Sequence, residues 1–344
     1  MNMKEWKEQL IHAGEKKAMP LLSYPSTQLM YINVEHLVRD ANYQALGMKL
    51  LADRYPMPFA SSYMDLSVEA EAFGANCVYS PNNIPTITGK IVETEEDAEA
   101  LRIPEVGEGR TGIVIDSIRK AKAVITDRPV IANCSGPFST AGRLMDVNDI
   151  LLETLEDPEL VEIVVEKTTV FIKKYIKALK EAGADGVIMA EPLAGILSPG
   201  LMEEFSSKYV KRIADEVQDD QFLMIYHNCA NGLENRVKQV LSTGCRIFHI
   251  GDKTDAAAML AQVPEDVIIM GNVSPSVVFK EGSPVKMEKV TQKLLWKCLR
   301  YDNFMVSSGC DIPADTSFAN IDRFFETVEN DRSRSRLWKR IAIA

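Results

Sequence analysis

The sequence lacks the features that mark nucleic-acid-binding, membrane-spanning and secreted proteins. Its formal net charge is −10 and it has no basic stripe interleaved with aromatic residues, so nucleic-acid binding has no electrostatic support. No apolar run approaches the roughly 20 residues that a membrane helix needs. Residues 1–10 alternate charged with apolar side chains, unlike the continuous apolar stretch of a signal peptide. We therefore expect a cytoplasmic protein whose partners include neither nucleic acid nor a membrane.

Cysteine is scarce and scattered, with six residues in a chain of 344. A long chain without a secretion signal is not a disulfide scaffold, so reduced thiols are expected. Such thiols are often small buried hydrophobic residues, and we predict that role for Cys77, Cys245 and Cys298. Cys134 is predicted to point into the packing. Cys229 and Cys310 are therefore the two thiols that require a chemical explanation.

No Gly-x-Gly-x-x-Gly motif follows the first predicted strand, which disfavours an open dinucleotide-binding sheet. From about residue 112 onward, short apolar segments alternate with amphipathic helices, and this alternation requires a parallel sheet covered by helices. The predicted strands span residues 20–25, 58–64, 129–134, 186–190, 222–227, 246–250, 267–271 and 304–308. Eight such units predict an α/β fold, a (β/α)8 TIM barrel, with an N-terminal helical extension at residues 3–16. No linker divides the chain, so residues 1–344 are predicted to form a single domain.

Residues 75–110 interrupt this regular pattern because they contain three prolines. They are predicted to form either a long loop or a small hairpin. Residues 34–54 are predicted to form one helix.

The active site of such a barrel lies at the carboxyl ends of its strands. Polar residues at these positions are candidates, although strand ends are also polar simply because they meet loops. The candidates are Asp65, Asn133, Cys134, Glu191, His227, Cys229, His249, Asp252, Asn272, Cys310 and Asp311.

The strongest combination is His227, Cys229 and Cys310. His227 and Cys229 are two positions apart at a strand end, so their side chains point to the same side. Cys310 follows another strand, and Gly309 is expected to let the chain bend beside it. One imidazole and two thiolates with an open fourth position are typical of a catalytic zinc that holds a substrate thiol as a thiolate. The alternative is a core histidine with two buried cysteines.

Glu191 ends the strand beside the one that carries His227. It is predicted either to join the metal or to accept the proton of the thiol. The alternative is a salt bridge at the barrel rim.

These motifs resemble a known family. His227-x-Cys229, followed by Ser308-Gly309-Cys310-Asp311-Ile-Pro, resembles the uroporphyrinogen decarboxylase superfamily, and within it the zinc-dependent corrinoid methyltransferases that transfer a methyl group from methylcobamide to coenzyme M. The stretches at 65–75, 136–138, 271–275 and 316–321 are similar as well. The resemblance implies a (β/α)8 barrel, zinc held by the three ligands, and a methylcobamide donor carried by a separate corrinoid protein. It also implies a small thiol as acceptor.

The remaining site predictions follow from this resemblance. Asp65 stands where decarboxylases of the family have a catalytic aspartate. Asn272 and His249 are assigned to corrinoid binding. Arg143 is predicted to bind an anionic end of the thiol, and Asn133 and Ser135 are predicted to hydrogen-bond the same group.

The sequence also departs from parts of this family. Residues 17–25 contain no arginine, whereas decarboxylases use an arginine-rich segment there to hold substrate carboxylates, so decarboxylation is disfavoured. None of the four histidines lies in an Asp-x-His-x-x-Gly motif, so the corrinoid must come from a partner protein. Two alternatives remain: methyl transfer from a methoxy or methylthio compound onto a corrinoid protein, and a non-catalytic barrel that binds a corrinoid protein.

Overall fold

Seven parallel strands form the central sheet of the protein. The computed structural model describes the backbone of residues 1–343 and the side chains of residues 1–331. The strands of the sheet lie in the order β1, β4, β5, β6, β7, β8, β9, so each is paired with the next along the sheet. The strands are β1 Ala60–Ser61, β4 Val130–Ser135, β5 Gly186–Ala190, β6 Leu223–Asn228, β7 Ile247–Ile250, β8 Ile268–Val273 and β9 Phe304–Ser308, with a separate antiparallel hairpin of β2 Cys77–Val78 and β3 Thr86–Ile87.

Helices follow the strands and cover the sheet. The α-helices are α1 Met3–His12, α2 Ser26–Met30, α3 Val34–Arg39, α4 Ala41–Arg54, α5 Val68–Ala72, α6 Glu95–Ala100, α7 Thr111–Val124, α8 Pro137–Met145, α9 Val147–Glu156, α10 Pro158–Glu181, α11 Pro199–Met202, α12 Lys208–Val217, α13 Val237–Ser242, α14 Ala256–Leu260, α15 Pro284–Lys297 and α16 Phe318–Ile343. Short 3-10 turns span Leu193–Ile196 and Leu233–Asn235, and π-helical turns span Glu203–Ser207 and Pro275–Lys280. Within the described part of the chain, no helix is both long and apolar enough to cross a membrane.

The predicted α/β barrel class is confirmed, but the first predicted strand, residues 20–25, is wrong. The chain makes only one isolated parallel bridge in this region, between Ala18 and Val306 of β9. Pro20 has no N–H group, and Leu21 N donates to the side-chain Oγ of Ser308 at 3.0 Å instead of extending the ladder. An extended segment therefore occupies the place of the eighth strand.

The predicted helix over residues 34–54 is divided in the structure. Asp40 separates α3 from α4, and its side chain accepts a hydrogen bond from Asn42 N at 2.6 Å. Asp146 separates α8 from α9 in the same way and caps α9 through Asn148 N at 2.8 Å. Asp competes with the helix for backbone donors, so it favours caps over helix interiors. Of the two alternatives for residues 75–110, the small hairpin is confirmed.

The sequences of the barrel strands are mostly apolar because helices cover the strands. Every residue of β4, β5, β6, β7 and β9 is buried. Helix α10 shows how the cover is built: Asp157 caps it by accepting from Leu160 N, and Pro158 stands at its first turn. Its buried residues, among them Leu160, Val164, Ile172, Ile176 and Leu179, recur at helical spacing.

A buried ion-pair network holds the loop after β1. Arg110, at the start of α7, donates through Nη1 to Asp65 Oδ2 and through Nε to Glu71 Oε2 at 2.6 Å. Its Nη2 donates to Ser67 Oγ at 2.6 Å. The side chains of Arg110 and Asp65 are each about 5% exposed. Water therefore cannot solvate either charge, and each charge is compensated mainly by the other.

We predict that Arg110→Ala lowers the free energy of unfolding by about 3–5 kcal/mol, because it leaves buried carboxylates without their cation. Arg119→Ala is the matched control, since Arg119 pairs with Asp116 at the surface, and we expect it to change stability by less than about 1 kcal/mol. Urea unfolding measures both variants. Equal, small effects would contradict the network's structural role.

Candidate metal centre

Strand β6 delivers two of the predicted metal ligands. Its residues are all buried between β5 and β7, and its register places His227 beside Ala190 on one side and His249 on the other. His227 is the penultimate residue of the strand, and Cys229 follows directly after its end. The pairing of three parallel strands therefore fixes the position of the His227 backbone.

The structure brings His227, Cys229 and Cys310 together. Their ligand atoms all lie within 4.8 Å of one another, and His227 Nε2 is 3.6 Å from Cys310 Sγ. Tetrahedral zinc with ligand bonds of about 2.1 Å to nitrogen and 2.3 Å to sulfur separates these two atoms by about 3.6 Å. One imidazole and two thiols are also the donor set that zinc prefers. The three residues thus fit a zinc ion.

A hydrogen-bonded chain behind the ligands orients the His227 ring. His227 Nδ1 lies 2.7 Å from His249 Nδ1, and His249 Nε2 lies 2.9 Å from Ser307 Oγ. Because Nδ1 is engaged, Nε2 of His227 is the nitrogen directed at the two sulfurs. Burial and the neighbouring His227 lower the pKa of His249 well below its usual value, which keeps this ring neutral. His249 is fully buried, so its position suits orienting a ligand and does not match the predicted contact with a corrinoid.

The two thiols of the cluster differ in acidity. A hydrogen bond from Cys310 lowers the pKa of Cys229 to about 4, with His227 contributing in the same direction. The hydrogen bond with Cys229 and burial raise the pKa of Cys310. The pair therefore shares one proton and presents one thiolate in the absence of a metal, so the site carries the negative charge that attracts a cation.

Close packing of two glycines brings the ligand loops together. A Cβ atom on Gly251 would lie 2.6 Å from Cys229 Cα, and one on Gly309 would lie 2.5 Å from Asp252 N. Gly309 does not have a positive φ angle, so the expected bend is not what requires glycine there. Both positions require glycine because the backbone after β7 touches the backbones that carry Cys229 and Cys310.

Glu191 is buried next to the ligand strand but does not join the cluster. Its Oε1 accepts from Phe138 N at 2.8 Å, and its Oε2 accepts from Ser139 N at 3.0 Å and Ser139 Oγ at 2.8 Å. These donors form the first turn of α8, so the carboxylate caps that helix. Burial raises the pKa of Glu191 to about 7 despite these hydrogen bonds. Glu191 is not among the residues whose ligand atoms cluster, and its predicted roles at the metal or as a proton acceptor stay predictions.

The predicted polar residues near β4 form a second group. Asn133 Nδ2 donates to Ser62 O at 2.7 Å and to Ser61 Oγ at 3.0 Å, whereas Asn133 Oδ1 and Ser135 Oγ are buried and have no partner among the described residues. Arg143 is partly buried, and its Nη1 donates to Ser139 O at 2.6 Å. Among the side chains that the structure describes, no carboxylate lies within ion-pair distance of Arg143.

Two other predicted residues hold loops in place. Asp65 pairs with Arg110 and accepts from Ser67 N at 3.0 Å and Ser67 Oγ at 2.6 Å. Asn272 Nδ2 donates to Gly251 O at 2.9 Å and to Thr254 O at 2.6 Å, which fixes the loop after β7. Their predicted catalytic and corrinoid-binding roles stay predictions. Cys134, Cys245 and Cys298 are buried, whereas Cys77 is partly exposed.

Four residues that shape the site are not among those predicted from the sequence. Arg110 and Ser139 supply partners for Asp65 and Glu191, and Ser307 supports His249. Glu69 accepts from Ser135 N at 2.9 Å, its Oε2 is buried without a partner among the described residues, and burial raises its pKa to about 7. These contacts join residues that are 45–66 positions apart, so no local pattern in the sequence identifies them.

We predict that His249→Phe weakens zinc binding about 10- to 100-fold, because it removes the partner that orients His227. Competition with a chromophoric chelator measures the affinity. His12→Phe, at an exposed position at the end of α1, is the control and should bind zinc like the unaltered protein. Unchanged affinity in His249→Phe would show that the ring orientation does not depend on His249.

Comparison with known proteins places this site in a family. The uroporphyrinogen decarboxylase (URO-D) family matches residues 19–330. The methylcobamide:CoM methyltransferase MtbA of Methanosarcina acetivorans is 26% identical over 273 residues, which cover 77% of this chain and 78% of MtbA. The uroporphyrinogen decarboxylase of Tolumonas auensis is 23% identical over 284 residues, with 80% and 79% covered.

A solved structure supports the fold. A methyltransferase from Methanosarcina mazei superimposes with a TM-score of 0.85 at 18% identity, and the match covers 96% of this chain and 99% of that one. The resemblance stated from the His-x-Cys and Gly-Cys motifs is therefore confirmed at the level of the family and of the methyltransferases similar to this chain. The chain belongs to the uroporphyrinogen decarboxylase (URO-D) family.

Proposed function

We propose that this protein is a zinc-dependent methyltransferase that moves a methyl group from a methylcobamide, carried by a corrinoid protein, to a small thiol such as coenzyme M. The observation that carries the proposal is the convergence of His227, Cys229 and Cys310 at the carboxyl ends of β6 and β9. The similarity to relatives named as methylcobamide:CoM methyltransferases supports the same reaction.

The three ligands explain why a thiol is the substrate. Zinc bound there would lower the pKa of a substrate thiol and hold it as a thiolate at neutral pH. With Cys229 and Cys310 both bound as thiolates, the zinc would be a weaker Lewis acid, so the site suits nucleophile activation better than strong polarisation of a carbonyl group. In that state the substrate's thiolate sulfur would form a bond to the methyl carbon while the cobalt–carbon bond of the donor breaks, and cob(I)amide would be the leaving group that keeps the electron pair.

Residues of this chain position the reactants. The hydrogen bonds from Ser307 through His249 keep His227 in one orientation. A zinc ion held by His227 would therefore have a fixed position, and so would the sulfur of a bound substrate thiol. Glu191 caps α8, which carries Arg143. We assign Glu191 this positioning role. The thiol proton then passes to solvent, because both Glu191 oxygens already accept hydrogen bonds.

Arg143 is our candidate for the anionic end of the thiol. Its guanidinium is partly buried, has no carboxylate within ion-pair distance among the described side chains, and keeps donors available beyond the bond to Ser139 O. Burial lowers its pKa, and the nearby Glu69 and Glu191 oppose this effect, so the group stays charged. Asn133 Oδ1 and Ser135 Oγ, on strand β4, have no partner among the described residues and would hydrogen-bond the same substrate.

Methyl loading of a corrinoid protein from a methoxy or methylthio compound would use the same metal site in the reverse direction. The deciding experiment mixes zinc-loaded protein with methylcobalamin under anoxic conditions and follows the cobalamin spectrum. We expect demethylation with coenzyme M, and at least a 1,000-fold loss in Cys310→Ala, because a catalytic zinc requires its three ligands. Full zinc occupancy without demethylation by coenzyme M, homocysteine or tetrahydrofolate would favour corrinoid loading instead.

We predict that Arg143→Gln raises the KM for coenzyme M about 10- to 100-fold, since a charge-assisted contact to its sulfonate is lost. The KM for the neutral thiol 2-mercaptoethanol should change by less than about twofold, because that thiol has no anionic end. Steady-state kinetics with both thiols make the comparison within one variant. Equal effects on the two thiols would contradict the assignment of Arg143 to the anion.

A further inference from the structure

A cavity of about 730 Å³ opens beside the candidate metal centre. One wall is the segment 311–315, which directly follows the ligand Cys310, and the opposite wall is formed by α2, the start of α3 and the loop of the β2–β3 hairpin. Val34 N donates to Pro81 O at 2.8 Å, which ties the hairpin loop to α3 and keeps the cavity preformed. The volume suits a ligand of drug size or larger and greatly exceeds the needs of a small thiol.

The lining of this cavity carries no uncompensated positive charge. Lys280 and Asp315 form an ion pair at 3.0 Å, so neither presents an uncompensated charge. Asp311 Oδ2 accepts from Ser23 Oγ at 2.7 Å. The lining contains no arginine, so a polyanionic ligand would find no matching cation.

Four amide side chains line the same cavity and keep hydrogen-bonding capacity. Gln28 uses Nε2 to donate to Ala314 O and Thr316 O, Asn33 uses Oδ1 to cap α3, and Asn83 uses Nδ2 to donate to Ser80 Oγ. Within the described part of the chain, Gln28 Oε1, Asn33 Nδ2, Asn83 Oδ1 and the whole amide of Asn82 make no hydrogen bond. Amide groups pair with other amide groups, donor to acceptor in both directions.

Apolar surface lies at the rim of the cavity. Tyr31 is 95% exposed and Ile84 is 38% exposed, so neither side chain is buried by this chain itself. A neutral ligand that has a broad apolar face and an edge of amide groups would match this combination. The corrin ring, which carries acetamide and propionamide side chains around its edge, has this chemistry.

We propose that this cavity binds the amide edge of the corrin ring of the methyl donor, and thereby sets the ring over the metal centre. The inference rests on the proposed function. It assigns the donor to one side of the barrel mouth, the side of Asn82 and Asp311, whereas the thiol lies on the side of Arg143.

The test is the affinity for methylcobalamin, measured by equilibrium dialysis with zinc-loaded protein. We expect the double variant Asn82→Ala/Asn83→Ala to bind methylcobalamin about 3- to 10-fold more weakly, because it removes amide hydrogen bonds. Both residues are exposed, so the fold should tolerate the change. Tyr31→Ala, which removes the exposed ring, should weaken binding to a similar extent. The control is Gln221→Ala, an exposed amide before β6 at the opposite end of the barrel, which should bind like the unaltered protein.

Two outcomes would overturn the inference: no binding of methylcobalamin by the unaltered protein, or equal affinity in the double variant and the control. The readout separates this inference from the proposed function. If the protein demethylates methylcobalamin and the double variant binds it with unchanged affinity, only the inference about the cavity is contradicted. If the double variant binds methylcobalamin more weakly but the unaltered protein methylates no thiol, only the proposed function is contradicted. If a cavity variant weakens binding of a methylated corrinoid protein but not of free methylcobalamin, the cavity contacts the polypeptide of the corrinoid protein. That result would overturn the assignment of the cavity to the corrin ring.

Discussion

The hydrogen bond between His227 and His249 is the constraint on which the site depends. Two imidazole rings buried at the carboxyl ends of neighbouring strands would be costly unless their nitrogens had partners. Here each ring nitrogen has one: His249 bridges His227 and Ser307, and the remaining His227 nitrogen faces the sulfur of Cys310. This row of hydrogen bonds runs from β6 through β7 to β9, so the sheet itself orients the His227 ring. The low pKa of His249 keeps that ring neutral, which avoids charge repulsion next to a bound cation.

The local pattern was enough to predict that His227, Cys229 and Cys310 lie together, because their geometry is mostly local. His227 and Cys229 share a side by the two-residue period of a strand, and Cys310 follows a strand that any barrel must place at the same end. The partners behind the ligands depend on strand register, which the sequence does not display. His249 was predicted at a strand end, but only the pairing of β6 with β7 places it beside His227. For the same reason Gly309 was explained by a bend, whereas close contact with Asp252 N requires it.

The one strand that was predicted wrongly shows a second limit. Residues 20–25 have the composition of a buried strand, yet Pro20 and Pro25 lack backbone donors and the segment bonds through a side chain of β9. Other contacts join distant positions, such as Asp65 with Arg110, so the sequence pattern does not reveal that Asp65 belongs to a buried ion-pair network. Relatives with decarboxylase and methyltransferase names share this barrel, so the fold does not choose between the reactions. The soft ligands, the absence of arginine in residues 17–25 and the amide-lined cavity without an uncompensated cation are the features of this chain that favour methyl transfer.

Zinc K-edge X-ray absorption of the zinc-loaded protein, recorded with and without coenzyme M, tests the central claim most directly. Two cysteines and one histidine predict two sulfur and one nitrogen scatterers without the thiol, with a lighter atom at the fourth position. Addition of coenzyme M should raise the sulfur count to three as its thiolate enters the open position. A spectrum with fewer than two sulfurs would contradict the ligand set. An unchanged sulfur count at saturating coenzyme M would contradict activation of the thiol by the metal.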